Sequence, residues 1–294
     1  MDAEKLLTER FEEHRPHLRA VSYRMLGSLS EAEDAVQEAW LRMERTDTSD
    51  VENLGGWLTT VVTRLCLNQL RAREQRREDP LEIRMPDPVI GREGVVDPEQ
   101  EVLLADSVGL ALLVVMESLS PAERIAFVLH DMFAVPFDEI APVIEKTTAA
   151  TRQLASRARR RVQGQAPAPD PDRTRQRAAV DAFFAASREG DFEALVAVLD
   201  PDVVLRADGA AGRARGSVVL NGARTVAGQA VTYRSLAPFV RPALVNGAAG
   251  VVVVVEGRPV SVMAFTVLDG LIVAIDVLTD PERLAGLDLA GLDA

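Results

Sequence analysis

The chain reads as a multidomain α-helical and α+β protein: a helical N-terminal half ending in a helix-turn-helix, then a C-terminal α+β domain. Three observations predict this. The stretch Thr147 to Arg161, TTAATRQLASRARRR, has helical periodicity with one Arg-rich face, and it follows a short helical segment, Phe137 to Ile144, and a tight turn at Glu145 and Lys146. Two Pro-rich runs, 79–97 and 164–174, interrupt every period and divide the chain. Beyond the second, apolar residues gather into short runs between turn residues, with Asp269-Gly270 as a strong hairpin signal. The 294 residues allow two domains or more, since about 100 to 200 make one.

Taken in order, Leu6, Leu7, Phe11, Leu18, Val21, Met25 and Leu26 predict a helical layer over residues 4–28, which Pro16 breaks or bends. In SLSEAEDAVQEAWLRMER, Ser30 and Glu33 have capping-box spacing. The helix they open puts Ala32, Ala35, Val36, Ala39 and Met43 on one side and the acidic Glu31, Asp34 and Glu38 on the other, either to meet solvent or to dock a basic partner. Gly55 and Gly56 end a polar loop, and Trp57 opens a third helix, apolar first and basic later. On it Arg64, Asn68 and Arg71 share a face suited to a nucleic-acid backbone or base, with Arg73 close behind; Trp57 fits core packing or base stacking. After the first linker, Asp97-Pro98 opens a helix running through Leu119, and Ser120-Pro121-Ala122-Glu123 opens another that ends near Met132.

In the helix after Thr147, Ala150, Leu154, Ala155, Ala158 and Val162 form the apolar side. The other side carries Ala149, Arg152, Gln153, Ser156, Arg157, Arg159 and Arg160. Arg forks and Gln amides donate to base edges or phosphates, and small Ala and Ser let the backbone sit deep in a groove. A solvated basic helix is the alternative. The net charge of -12 argues against nucleic acid on average, but the Arg residues cluster at 71–77 and 157–161. One cysteine, Cys66, excludes an intramolecular disulfide and fits a reducing cytoplasm. The start of the chain is charged, and its most apolar run, Ala248 to Val255, falls far short of the roughly 20 residues that span a bilayer. A soluble cytoplasmic protein without membrane, metal or cofactor is expected.

SLSEAEDAVQEAWLRM, GGWLTTVVTRLCLNQLRAR and LSPAERIAFVLHDMFAVPFDEIAPVIEKTTAATRQLASRARRRV, in that order, resemble regions 2 and 4 of an extracytoplasmic-function RNA polymerase sigma factor. The resemblance covers about residues 10–163. It implies a region 2 helical bundle over 1–78, a linker at 79–97 and a region 4 helix-turn-helix over 98–163. It also implies core RNA polymerase and promoter DNA as partners, with Asp34, Gln37, Glu38 and the adjacent Glu31 toward the polymerase β′ clamp helices and region 4 toward the β flap. The helix from Trp57 would open and read the downstream promoter element, and the helix after Thr147 the upstream one. Two departures stand out: Glu145 replaces the usual Gly of the turn, and Pro142 lies inside the preceding helix, at about its fourth position if that helix starts at Asp138.

Past the linker 164–174, Val180, Phe183, Phe184 and Leu195 to Leu199 suggest helices. Strands are expected at Val203 to Leu205, Ser217 to Leu220, Ala248 to Glu256, Pro259 to Leu268 and Leu271 to Leu278. Helices followed by a curved sheet resemble a SnoaL-like α+β cone over 175–294, with a pocket able to take a small-molecule ligand. A group of sigma factors bears such a domain. DGAAGR at 208–213 resembles that group's Asp-Gly-Gly-Gly-Lys motif, and DPERL at 280–284 its Asn-Pro-Asp-Lys-Leu motif. Asp208, Gly209, Arg213, Asp280, Pro281, Glu282, Arg283 and Leu284 are therefore the candidate regulatory residues, through which the tail docks in cis on the N-terminal half. The rival reading is a SnoaL-like isomerase or cyclase with a DNA-binding N-terminal part. His14, His17 and His130 all lie outside the tail, which leaves Asp208 and Asp276 as its candidate bases.

Overall fold

A computed structural model describes residues 3–48, 51–76, 84–92, 109–165, 169–208, 217–287 and 289. It falls into two compact units: residues 1–78, 98–106 and 115–165, and residues 79–97, 107–114 and 166–294. The segment read as the first linker thus counts with the second unit. The expected Asp97-Pro98 helix start lies outside the described residues; its later part is α4 (Leu110–Met116).

In the first unit, α1 (Ala3–Leu26) runs unbroken through Pro16, whose missing N–H leaves one carbonyl free on a surface turn where Arg15, Pro16 and His17 are all exposed. α2 (Leu29–Glu44) starts earlier than expected, and the Ser30 capping box is not formed. Ser28 is the cap, its Oγ accepting from the Glu31 amide at 3.5 Å. Glu33 is drawn away by Arg15 at 2.5 Å and Arg19 at 3.6 Å. The apolar seam is as expected, with Ala32, Ala35, Val36, Ala39 and Met43 buried. α3 (Leu54–Arg76) also starts early, because the Asn53 side chain accepts from the Gly56 amide at 2.9 Å and draws both glycines into the first turn. A Cβ at Gly55 would sit 3.1 Å from the His14 ring, which would have to give by a few tenths of an ångström.

α5 (Pro121–Phe127) carries the expected capping box: Ser120 Oγ accepts from the Glu123 amide, and the Glu123 carboxylate accepts from the Ser120 amide at 3.2 Å. The chain then widens into a π-helical turn, Val128–Met132, in place of a plain α-helical end. α6 (Phe137–Val143) and α7 (Thr148–Gln165) form the helix-turn-helix. α6 begins at Phe137, the start read for it, and not at Asp138, so Pro142 is its sixth residue and the carbonyl it leaves unbonded belongs to Asp138, an exposed residue. Glu145 takes φ 56, the left-handed conformation that Gly would accept without strain, and the Lys146 amide closes onto the Ala141 carbonyl at 3.0 Å.

The second unit is a seven-stranded sheet in the order β1-β4-β5-β6-β7-β2-β3: β1 (Ile90–Gly91), β2 (Leu199–Ala207), β3 (Val218–Asn221), β4 (Val240–Val245), β5 (Ala248–Val255), β6 (Arg258–Leu268) and β7 (Leu271–Leu278). All neighbours are antiparallel except β2 and β7. Leu199, expected at a helix end, is the first residue of β2. The hairpins turn on Asn246-Gly247, Glu256-Gly257 and Asp269-Gly270, each with positive φ at both residues, as a type I′ turn requires. α8 (Arg173–Glu189), α9 (Phe192–Ala197) and α10 (Ala223–Thr232) complete the α+β architecture. Phe183, Phe184 and Phe265 pack edge to face in a core with Val226, Val251 and Ile275. A cavity of about 350 Å³ opens at the surface beside Leu199, Gly222 and Arg224.

Candidate nucleic-acid interface

Thr147 sets the geometry of α7: its Oγ1 accepts from the Ala150 amide at 3.2 Å. Thr151, Leu154, Ala155, Ala158 and Val162 are buried. Thr151 thus replaces Ala150 at the seam, its hydroxyl satisfied by the Thr147 carbonyl at 3.0 Å. Ala149, Arg152, Gln153, Ser156, Arg157 and Arg160 are all exposed and share the free face of this helix.

The arginines are not equivalent. Arg157 approaches Glu123 at 3.5 Å, Arg159 is bound to Asp131, and Arg161 donates to the Ser118 carbonyl at 3.0 Å with Glu123 at 3.8 Å. Arg159 and Arg161 hold α7 to the π-turn and to α5. Arg152 lies over the Phe137 ring, 5.8 Å from its centroid, and among the described residues it makes no hydrogen bond or ion pair. Arg160 donates to the Ser156 carbonyl at 3.4 Å, its one hydrogen bond among the described residues.

On α3, Arg64 and Asn68 are exposed, Trp57 is half-buried, and Arg71 lies 3.8 Å from Glu145. Arg73 differs from them: it donates to the Leu26 carbonyl at 2.9 Å and pairs with Glu31. A candidate DNA contact and a candidate polymerase contact are thus bound to each other within the helical unit. Asp34 and Gln37 are exposed, and Glu38 pairs with Arg42 at 3.1 Å. Partial desolvation of the His17 ring pushes its imidazole below the ordinary value, with His14 and Arg24 adding to the effect. The Cys66 thiol, buried in α3, is pushed up to about 12 by burial, which leaves it unreactive at neutral pH.

Two of the tail's candidate residues, Asp208 and Arg283, meet each other and Asp87 of the first linker. Arg283 donates to Asp87 Oδ1 through Nε at 3.0 Å and lies 3.7 Å from Asp208 Oδ2. Asp208 Oδ1 accepts from the Thr279 amide at 2.6 Å, and Asp280 caps α11 (Pro281–Ala285) by accepting from the Glu282 and Arg283 amides, both at 3.0 Å. Leu284 is buried, whereas Pro281 and Glu282 are exposed. Gly209 and Arg213 lie outside the described residues. The same corner receives the segment read as a linker: Ile90 and Gly91 pair with β4, and the Val89 amide and carbonyl both bond Asn246, at 3.1 and 2.8 Å. No periodicity marks a strand there, and Asn246, only 2% exposed, stands in an Asn-Gly turn whose sequence signal says nothing of its bonds to Val89. Asp276 and Asp208, the tail's candidate bases, are engaged with Arg206 at 3.0 Å and with Thr279.

The family described as Sigma-70 region 2 matches residues 10–77, and that described as Sigma-70, region 4 matches residues 109–162. The chain is 38% identical over 298 aligned positions to ECF RNA polymerase sigma factor SigJ of Mycobacterium tuberculosis, covering 95% of this chain and 93% of the relative. It is 37% identical over 272 positions to the same organism's "Probable ECF RNA polymerase sigma factor SigI", with 92% of each chain covered. The crystal structure of the Mycobacterium tuberculosis extracytoplasmic function sigma factor SigJ matches with TM-score 0.78 and 35% identity, over 96% of this chain and 99% of that one. Among the described residues, no helix is long and apolar enough to cross a membrane.

Proposed function

The chain belongs to the extracytoplasmic-function RNA polymerase sigma factors, and from that premise we propose how its parts divide the work. It binds core RNA polymerase and directs promoter-specific transcription initiation. The upstream promoter element is read by α7 through Ala149, Arg152, Gln153, Ser156, Arg157 and Arg160, the downstream one by Trp57, Arg64, Asn68, Arg71 and Arg73. The observation that carries this is the exposed polar face of α7 on a helix-turn-helix, with its opposite face buried. Run-off transcription with core polymerase and promoters altered in one element at a time tests the division. Loss of response to upstream changes in α7 variants supports it, and an unchanged response sinks it. The protein acts where polymerase and promoter are, in the cytoplasm.

Core binding runs through Glu31, Asp34, Gln37 and Glu38 on α2, toward the β′ clamp helices, while region 4 meets the β flap. Asp34 and Gln37 are the exposed members, and an acidic face steers association with a basic helix pair. Reversing Asp34 and Glu38 to Lys is expected to weaken core binding about tenfold or more without unfolding α2, whose buried seam is untouched. An unchanged affinity in a core-polymerase titration rules the surface out.

The C-terminal domain modulates this activity in cis. Support comes from its grip on residues 84–92, which join the two promoter-reading regions in sequence: the β1–β4 pairing, the Asn246 bonds to Val89 and the Arg283–Asp87 ion pair. Deleting residues 175–294, or replacing Arg283 by Ala, is expected to change promoter-specific transcription at fixed core concentration. If both variants transcribe like the full chain, the domain is a passenger. Asp208, Gly209, Arg213 and Asp280 to Leu284 are the residues through which this regulation acts, and a small-molecule ligand of the cone would act through the same corner.

A further inference from the structure

Arg152 is held in a way that no other arginine of α7 is. Its guanidinium lies over the Phe137 ring at 5.8 Å, within the range of a cation–π contact, while its N–H groups are committed to no acceptor among the described residues. Phe137 is itself fixed. The His130 ring stacks on it, with centroids 3.7 Å apart and planes 28° from parallel. His130 is placed by the π-helical turn Val128–Met132 and pinned where its Nδ1 meets the Val135 carbonyl at 3.1 Å. That carbonyl only accepts, so Nδ1 carries the proton. The Val135 amide in turn donates to the Leu129 carbonyl at 2.9 Å, closing the chain back onto the π-turn.

We infer that Phe137 is a positioning residue for promoter reading. It holds the Arg152 guanidinium over its ring, which the stacked His130 in turn supports, so that Arg152 meets a base edge already oriented. The inference rests on the reading of α7 as the helix that enters the upstream element, and it adds what sets the specificity of one of its contacts. A fork that reads a base bidentately must keep two N–H groups coplanar with the base, and ordering a flexible side chain in that way on binding costs free energy. A guanidinium lying on an aromatic face keeps its edge donors free while losing that freedom beforehand. Arg159 and Arg161 direct donors at Asp131 and the Ser118 carbonyl instead, as anchors of the helix, and the exposed Arg157 leans toward Glu123 at 3.5 Å. Arg152 is the fifth residue of α7, in the N-terminal part that reaches base edges in helix-turn-helix docking.

The test uses the full chain with core polymerase and promoters varied at each position of the upstream element, reading out relative transcription for every base. Phe137→Leu keeps apolar bulk and removes the ring. It is expected to lower discrimination about two- to fivefold, the scale of one exposed cation–π contact, at the position that Arg152→Ala also relaxes and at no other. Phe137→Tyr keeps the ring and should restore discrimination. In the Arg152→Ala background, Phe137→Leu should have no further effect on base preference. If Phe137→Leu lowers the melting temperature into the assay range, His130→Ala, which leaves Phe137 in place but unsupported, should produce the same position-specific loss in smaller degree. Uniform weakening across all promoter variants, or an additive effect in the Arg152→Ala background, overturns the inference and leaves Phe137 a packing residue. Should Arg152→Ala itself leave preference and affinity unchanged, the reading of α7 fails, which is a different result from an effective Arg152→Ala beside a silent Phe137→Leu.

Discussion

Replacing Arg152, Gln153 and Arg160 together by Ala is expected to cut transcription from promoters that depend on the upstream element roughly 100-fold while leaving core binding intact. Each good bidentate base contact contributes about 1 to 3 kcal/mol of discrimination, so removing three polar readers near the lower end of that range gives about this factor. All three side chains are exposed, and the buried seam of α7 is unaffected. Surface changes of this kind move folding stability by about 0.5 kcal/mol or less, so the loss is one of recognition. Measuring holoenzyme binding at several salt concentrations separates the two ways these residues can act. Base readers relax sequence preference, whereas phosphate contacts weaken every sequence alike and flatten the salt dependence. Uniform weakening with an unchanged base preference would move all three residues into the second class.

The largest stability effect is expected at Asp276→Ala, about 3 to 5 kcal/mol in the C-terminal unit. Asp276 on β7 sits in register with Arg206 on β2, the one parallel pairing of the described sheet, and accepts from it at 3.0 Å. The side chains are 1% and 15% exposed, so removing the carboxylate strands a guanidinium away from water. Asp276→Asn keeps an acceptor oxygen and should cost less. Burial pushes the Asp276 carboxyl above its ordinary 3.8, against the opposing pull of Arg206. A carboxyl that holds its proton more tightly in the folded state contributes most stability below that ordinary value and loses it as pH rises through the raised one. Denaturant melts across this interval should show that slope in the native chain and not in the Asn variant. If Asp276→Ala melts like the native protein, the pair contributes nothing to the fold.

The helices were legible because their apolar positions recur at helical spacing and their ends carry local signals. Ser120 and Glu123 are three residues apart, and their reciprocal bonds form. Ser30 and Glu33 have the same spacing and fail because Arg15 and Arg19, one turn apart on α1, claim the carboxylate. No local pattern carries that information. The same limit applies to Glu31 and Arg73, read as belonging to two different surfaces and found bound to each other. In the C-terminal domain the strands flanking Asp269-Gly270 were read from apolar runs and turn chemistry, but β4 was missed because Pro242 sits inside it. Proline is tolerated there because the β1 partner spans only Leu244 and Val245, so among the described residues no strand pairs with β4 on that side at Pro242. β1 itself was invisible: two residues paired with a strand far along the chain leave no period to detect. The α7 face was the most legible part of the site, since every residue there is set by one helix. The Phe137 platform needs two more elements and was not readable.

The pairing of residues 84–92 with β4 has a temporal side. Val89 and Asn246 lie 157 residues apart, so on a ribosome adding about 5 to 20 residues per second the partner strand is made roughly 8 to 30 s after the segment it must capture. By the end of that delay both matched helical regions, 10–77 and 109–162, are already synthesised, while Ile90 and Gly91 still lack the β4 residues they pair with. Each newly made molecule therefore passes through a period in which residues 89–91 lack their β4 partner, and the pairing arrives only with the last third of the chain. Translation that stops early leaves the molecule permanently in that juvenile state.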